Sequence, residues 1–257
     1  MKKRIITALL GIPAVFLIAW AGGIYWLGFV ALIAIIGLYE FYRGIKTFGH
    51  QPMWVPGYLV MIIMFFTGSE WSNEALLIAV LLLTLTFMVL LYPRYHIIDL
   101  AASFFGAVYV GLFIGYIWKL ALVPDHFRVI VFALLLTWAS DTGAYFVGTW
   151  FGKHKMIPSL SPNKTWEGFI GGFMATILVA LAGGFLSALS PFQSIMLGII
   201  VGLAAPVGDL FASGVKRGLG IKDFGNLIPG HGGILDRVDS LMCVAPVVYF
   251  LILKGGV

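Results

Sequence analysis

The chain has 257 residues, of which 61% are hydrophobic and 11% are charged, and its formal net charge is +5. A water-facing surface usually needs about a quarter of the residues charged, so this composition excludes a large soluble domain. The basic balance does not indicate nucleic-acid binding, because the Lys and Arg residues lie at the ends of apolar runs rather than on one polar face.

Apolar runs of about 20 residues, the length that spans a bilayer as a helix, recur along the whole chain. They predict an all-α, polytopic integral membrane protein with about nine transmembrane helices. Residues 1–97 hold N-terminal helices of low motif content, whereas the polar loops 151–166 and 216–236 lie in residues 98–257, the transmembrane region in which we expect catalysis. The predicted helices cover residues 5–22, 24–42, 54–68, 75–92, 98–118, 128–150, 167–189, 192–215 and 237–254.

The basic residues predict how these helices are oriented. With the N-terminus in the cytoplasm, 13 of the 16 Lys and Arg residues fall on the cytoplasmic side, together with the polar loops 151–166 and 216–236. Lys119, Arg128 and Lys254 fall on the opposite side. We therefore expect an integral protein of a bacterial inner membrane whose active site faces the cytoplasm.

Glycines spaced four residues apart recur in the predicted helices, and such spacing lets helices approach closely in lipid. Packing within one chain is the preferred interpretation, and a homodimer interface is the alternative. The pairs are Gly111 and Gly115, Gly168 and Gly172, and Gly198 and Gly202.

Acidic residues inside the apolar runs are candidates for function, because an ionisable group in a membrane segment is costly. Glu40 and Asp99 lie close to the ends of their helices, and we expect them to be structural. Asp141, in the segment W-A-S-D-T-G, lies in the cytoplasmic half of the sixth predicted helix. Asp141 is therefore a candidate substrate-binding residue.

The first polar loop ends in the segment S-P-N-K-T-W-E-G. Thr165 and Glu167 fit the start of a capped helix. A second interpretation adds Asn163, Lys164, Thr165 and Glu167 to a substrate pocket that faces the second polar loop.

The eighth predicted helix carries polar residues at its cytoplasmic end. Asp209, Ser213, Lys216 and Arg217 follow the spacing of one helical face. Asp209 lies about two turns inside that end, where a carboxylate is costly unless a bound cation or Lys216 offsets its charge. A structural ion pair inside the bundle is the alternative.

The ninth predicted helix begins with Asp236, Arg237 and Asp239. The two aspartates share one helical face, and the helix dipole accounts for one acidic residue in a first turn. It does not account for Arg237 between them, so we expect all three residues to be functional.

Six glycines in the loop 216–236 allow close backbone approach to a ligand, and their N–H groups can cradle phosphate. Carboxylates beside such a loop suit Mg²⁺, which prefers carboxylate and phosphate oxygens. The pattern predicts metal-assisted phosphoryl or nucleotidyl transfer. Asp223 and His231 are further substrate-binding candidates, and a structural role is the alternative for His231. Positive charge for a polyphosphate comes from Lys216, Arg217, Lys222 and Arg237.

These motifs resemble those of the phosphatidate cytidylyltransferases, also called CDP-diacylglycerol synthases. The segment from Ser213 to Asp239 is similar to the C-terminal motif of that family without gaps. S-D-T-G-A-Y (140–145) and S-P-N-K-T-W-E-G (161–168) resemble two further family elements. The resemblance implies a membrane enzyme that makes CDP-diacylglycerol and pyrophosphate from CTP and phosphatidic acid, with Mg²⁺.

The resemblance also implies roles for individual residues. It makes Asp209 and Asp236 the metal ligands. Ser213, Lys216, Arg217, Lys222 and His231 become substrate-site residues, and we expect Lys216 and Arg217 to act in catalysis together with the two aspartates.

Two other functions are alternatives. A CTP-dependent polyprenol kinase would phosphorylate a lipid alcohol, and the complete segment H-G-G-I-L-D-R-V-D argues against it. An ion-coupled transporter would use Asp141, Asp209 and Asp236 as coupling carboxylates. A transporter site lies near the bilayer midplane, whereas these polar groups are predicted at one membrane face.

Overall fold

The computed structural model describes residues 2–67, 73–184, 189–228, 230 and 232–254. Within these ranges the chain is mainly helical. A π-helical segment, Ala107–Leu112, joins α5 to α6, and a second one, Phe250–Lys254, follows α10. The helices are α1 (Lys2–Ala21), α2 (Gly23–Thr47), α3 (Trp54–Thr67), α4 (Asn73–Leu90), α5 (Ile97–Gly106), α6 (Phe113–Lys119), α7 (His126–Phe151), α8 (Trp166–Gly184), α9 (Pro191–Gly218) and α10 (Leu235–Tyr249).

Several helices have the length and composition of membrane spans. In the part of the chain that the structure describes, five helical stretches are long and apolar enough to cross a membrane: α2, α5 through α6, α7, α8 and α9. They confirm the predicted class, a helical integral membrane protein. The number of about nine spans and the cytoplasmic N-terminus stay predictions. The predicted helix ends at residue 68 and at residues 185–189 fall partly outside the described residues.

The chain divides into two compact units. The first unit comprises Met1–Lys119 and Gly218–Arg237, and the second comprises Leu120–Arg217 and Val238–Val257. The functional division at residue 97 stays a prediction.

Helix α2 supplies the core of the first unit. Its buried residues recur every three or four positions from Trp26 to Leu38, which is the spacing of one helical stripe, and burial then widens to include Glu40, Phe41 and Tyr42. The indole of Trp26 donates a hydrogen bond to the carbonyl of Ile117 at 3.2 Å. The Tyr42 hydroxyl donates to the carbonyl of Ser103 at 2.8 Å, so α2 is tied to α5 and α6 by side chains as well as by packing.

Asp99 has the structural role that its position predicts. Its side chain is buried, and its two oxygens accept hydrogen bonds from the backbone amides of Gln51 at 2.7 Å and His96 at 2.9 Å. The carboxylate thus fixes the start of α5 and holds the segment before α3 against it.

Glycines set the close packing of the second unit. A Cβ on Gly168 would lie 2.8 Å from the carbonyl oxygen of Ala144, and one on Gly198 would lie 2.7 Å from the Cα of Ile177. Real Cβ atoms do not approach other atoms this closely. The two glycine pairs that contain Gly168 and Gly198 therefore serve packing within the chain, as preferred from the sequence, and a homodimer stays a prediction.

A small antiparallel hairpin in the second unit is an addition to the predicted all-α fold. Strand β1 (Lys155–Ile157) pairs with β2 (Ser161–Thr165), with Lys155 opposite Thr165. Strands of three and five residues are too short to show a clear period in the sequence. The predicted helix start that follows is confirmed, because the Thr165 hydroxyl accepts the amide hydrogen of Gly168 at 3.1 Å.

Candidate active site

The glycine-rich loop, residues 219–234 between α9 and α10, turns back on itself in the first unit. Gly220, Gly230 and Gly232 have φ angles of 66°, 80° and 81°, a region that other residues rarely adopt. The amide of Ile228 donates to the carbonyl of Gly232 at 2.9 Å and closes the turn. His231, a predicted substrate-site residue, lies outside the described residues.

Asp236 anchors this loop to the start of α10. Its side chain is 6% exposed, and its Oδ2 atom accepts hydrogen bonds from the amides of Phe224 and Gly233, both at 2.9 Å. The Phe224 ring is buried in the first unit, 6.2 Å from the ring of Phe41. Asp236 therefore shapes the loop, whatever else it binds.

The folded loop borders a cavity of about 420 Å³ that is open to the outside. Small-molecule sites are commonly about 300–1,000 Å³, so the cavity has the size of a ligand site. Lys222, Asp223 and Arg237, three of the predicted substrate-binding residues, are brought together here. The cavity is lined by Lys222, Asp223, Asn226, Ile228, Gly230, Gly232 and Arg237.

Asp209 forms an ion pair in the second unit. The Lys164 ammonium nitrogen, on β2, lies 2.6 Å from Asp209 Oδ2, on α9. The Ser213 hydroxyl donates to Asp209 Oδ1 at 3.5 Å. The sequence predicts a cation beside Asp209 and names Lys216, whereas the structure places Lys164 at the carboxylate. The two side chains are 27% and 34% exposed, so water reaches the pair.

Further predicted residues lie near this ion pair. A Cβ on Gly208 would lie 2.7 Å from the carbonyl oxygen of Asp239, so glycine at this position lets α9 pack closely on α10. Asp239 lies within electrostatic range of Asp209, Lys216 and Asp141. Predicted residues from α7, α9 and α10 therefore form one polar cluster in the second unit.

Glu167 holds the hairpin. Its carboxylate lies 2.6 Å from the Nδ1 atom of His154 and accepts the backbone amide of Lys153 at 3.1 Å. Asn163 is exposed, and Thr165 caps α8. Substrate-binding roles for Asn163, Thr165 and Glu167 stay predictions, as do the roles of the buried Lys216 and the exposed Arg217 at the end of α9.

The sequence predicts a structural role for Glu40 but does not identify the groups that it holds. Its side chain, on α2, is 4% exposed and accepts backbone hydrogen bonds from Ile234 and Leu235, at the end of the glycine-rich loop. The signal was a carboxylate in a long apolar helix, which is a functional candidate by default. Its partners are 194 and 195 residues away, so no local pattern identifies them.

The oxygen donors around Asp209 fit Mg²⁺. Carboxylate and hydroxyl oxygens are hard ligands, and Asp209 already holds a cationic ammonium group at 2.6 Å. Within the described ranges, no group of three or more His, Cys, Asp or Glu side chains is arranged to hold a metal ion. Few protein ligands are typical of Mg²⁺ that binds together with substrate phosphates.

The chain belongs to the cytidylyltransferase family, whose model matches residues 2–254. It is 36% identical over 261 residues to a phosphatidate cytidylyltransferase of Staphylococcus haemolyticus, with 99% of this chain and 100% of that protein covered. A phosphatidate cytidylyltransferase of Staphylococcus aureus (strain COL) is 36% identical over 262 residues, with the same coverage. The resemblance drawn from the motifs is confirmed.

Proposed function

We propose that this protein transfers CMP from CTP to phosphatidic acid and releases pyrophosphate, giving CDP-diacylglycerol. The main structural support is the cavity of the glycine-rich loop. It brings Lys222 and Arg237 together in a space large enough for a small-molecule ligand. Relatives that match along the whole chain are named for this activity. The apolar helices place the protein where a lipid substrate lies.

The chemistry is a single displacement at phosphorus. A phosphate oxygen of phosphatidic acid attacks the α-phosphorus of CTP, a new P–O bond forms, and the bond to the β-phosphate oxygen breaks with loss of pyrophosphate. The lipid phosphate is already an anion at neutral pH, by analogy with phosphoserine, whose second pKa is about 6. A strong protein base is therefore not required, and catalysis consists mainly of positioning and charge neutralisation.

Basic side chains supply the positive charge. Lys222 and Arg237 line the cavity of the first unit, where they can bind the polyphosphate of CTP. In the second unit, Lys164 stands at Asp209 and can exchange that carboxylate for a phosphate oxygen. Lys216 and Arg217 lie in the last turn of α9. We propose that their positive charge also helps to bind the polyphosphate of CTP.

We propose Mg²⁺ as the cofactor, with Asp209 and Asp236 as its protein ligands on the strength of the family resemblance. Mg²⁺ bound to the phosphates neutralises charge on their oxygens. Ser213, which donates to Asp209, is placed to orient that carboxylate.

We also propose that residues 151–166 and 216–236 face the cytoplasm, from which CTP comes. Single cysteines at positions 153 and 222, in a Cys243→Ala background, test this orientation in intact inverted and right-side-out vesicles. An impermeant thiol reagent should label both positions only when the cytoplasmic face is outside. Labelling from the opposite face overturns the orientation.

Substrate choice is tested with purified protein in detergent, supplied with CTP, Mg²⁺ and either phosphatidic acid or a polyprenol. We expect pyrophosphate release with phosphatidic acid and no reaction with the polyprenol. Release of CDP with the polyprenol would instead identify a lipid kinase. No turnover with either lipid contradicts both enzymatic functions and favours a transporter.

A further inference from the structure

Glu40 binds the end of the glycine-rich loop from a distant helix. Its Oε2 atom accepts the amide hydrogen of Leu235 at 2.9 Å, and its Oε1 atom accepts that of Ile234 at 3.1 Å. Leu235 is the first residue of α10, and the first amides of a helix have no acceptor within the helix. A carboxylate at this position satisfies them and interacts favourably with the helix dipole.

Two glycines of the loop pass directly against the Glu40 carboxyl group. A Cβ on Gly225 or on Gly233 would lie 2.6 Å from Glu40 Cδ and closer still to its oxygens. Neither glycine has a positive φ angle, so backbone conformation does not require glycine at these positions. The space that Glu40 occupies does require it.

Asp236 completes the attachment. The amide of Gly233 donates to Asp236, and the next two amides donate to Glu40. Three successive amides are therefore held by two buried carboxylates. Arg237, which lines the cavity, follows this segment by two residues, and Lys222 and Asp223 directly precede Phe224, whose amide also donates to Asp236.

We propose that Glu40 is a positioning residue for the nucleotide site: its carboxylate fixes the Gly233–Leu235 segment and thereby the cavity lined by Lys222, Asp223 and Arg237. The proposal rests on the proposed function in one respect, that the cavity binds CTP. Glu40 itself touches no reacting atom in this account, and it acts through the loop.

Glu40→Gln is the test variant, because its amide group offers one acceptor and turns one donor toward a backbone N–H. Glu74→Gln is the matched control, since Glu74 is an exposed carboxylate of the same unit. We expect kcat/KM for CTP to fall roughly 10- to 100-fold in Glu40→Gln, the scale of a misplacement of about 1 Å. The loss should lie mainly in KM for CTP, with KM for phosphatidic acid close to that of the control. The Tm should fall as well, because the change weakens a buried group that accepts two amide hydrogen bonds.

Hydrogen exchange provides a measurement that does not depend on turnover. In Glu40→Gln, peptides that cover residues 233–236 should exchange faster, while peptides from α5, in the same unit, should keep their protection. Gly225→Ala adds a methyl group that clashes with the Glu40 carboxyl group, and it should therefore give the same change in hydrogen exchange. Gly218→Ala is its control, because a Cβ at Gly218 meets no atom within 4 Å.

The outcomes separate the two proposals. Wild-type protein that releases no pyrophosphate defeats the proposed function, and the exchange data still decide whether Glu40 holds the loop. Active wild type with an unchanged KM for CTP and unchanged exchange in Glu40→Gln overturns the positioning role. A lower Tm with an unchanged KM for CTP also overturns it, because Glu40 would then be merely structural.

Discussion

Glu40 and Asp236 in the first unit are held in a different way from Asp209 in the second. In the first unit, Glu40 and Asp236 are buried and accept hydrogen bonds from backbone amides of the glycine-rich loop. In the second, Asp209 is about one-third exposed and pairs with the ammonium group of Lys164. A buried carboxylate bound to amides fixes the backbone, whereas a hydrated pair of side chains can exchange partners. We infer that the first arrangement shapes a site, in addition to the Mg²⁺ ligation proposed for Asp236, and that the second takes part in binding the charged substrate groups.

Asp209→Asn gives the largest expected effect on turnover. Removing a proposed ligand of the Mg²⁺ that would neutralise the phosphate charge costs several kcal/mol, so turnover should fall by about 10³-fold or more. The fold should persist, because a solvent-exposed ion pair contributes only about 0–1 kcal/mol to stability. Pyrophosphate release and thermal unfolding in detergent measure the two effects. Near-normal turnover at saturating Mg²⁺ contradicts this role of Asp209.

Asp236→Asn should reduce both turnover and stability. The carboxylate accepts two amide hydrogen bonds while 6% exposed, and weakening a buried hydrogen-bonded group costs about 1–3 kcal/mol. We expect a lower Tm and faster hydrogen exchange in the glycine-rich loop, in addition to loss of pyrophosphate release. If turnover is lost while the Tm and the hydrogen exchange are unchanged, Asp236 acts in the reaction, as proposed for Asp209, and does not hold the loop.

Lys164→Gln should have an intermediate effect. The variant removes the cation that stands at Asp209 and that we propose contacts the polyphosphate. We expect kcat/KM for CTP to fall roughly tenfold, the value of about one charge-assisted hydrogen bond, with little change in Tm. Steady-state kinetics at varied CTP concentrations measure it. An unchanged KM for CTP shows that Lys164 only balances the charge of Asp209.

Asp125→Asn should be close to neutral and serves as the control for both aspartate variants. Asp125 pairs with Arg128 at 3.5 Å, and both side chains are largely exposed, so the pair contributes little. Its φ angle of 55° lies in the left-handed region, which Asn also adopts readily. Turnover should stay within a factor of about two and the free energy of unfolding within about 0.5 kcal/mol. A larger loss would mean that removing any aspartate charge harms the enzyme.

Local patterns were enough to predict much of the fold. Hydropathy located helices such as α2 and α9, and the segment around Thr165 identified the start of α8. The sequence also predicts that Lys222, Asp223 and Arg237 act together, and the structure brings them to one cavity, while their binding roles stay predictions. These features depend on residues that are near one another in sequence.

Long-range pairing was not predictable from one sequence. Glu40 meets amides 194 and 195 residues away, and Asp209 meets Lys164 rather than the nearer Lys216. The sequence predicts that Gly225 and Gly233 let a ligand approach the backbone, whereas the structure places the Glu40 carboxyl group against both of them. Hydropathy and spacing identify the ionisable residues whose burial in a membrane protein is unfavourable. Only the tertiary structure identifies the hydrogen-bond or charge partner that stabilises each of them.

The most direct test of the central claim follows the phosphorus atoms of CTP. Purified protein is supplied with phosphatidic acid, Mg²⁺ and CTP that carries a radioactive label in either the α- or the γ-phosphate. Transfer of CMP predicts that the α-label enters the lipid fraction and that the γ-label appears in pyrophosphate. Entry of the γ-label into the lipid fraction, with the α-label left in CDP, would contradict the account.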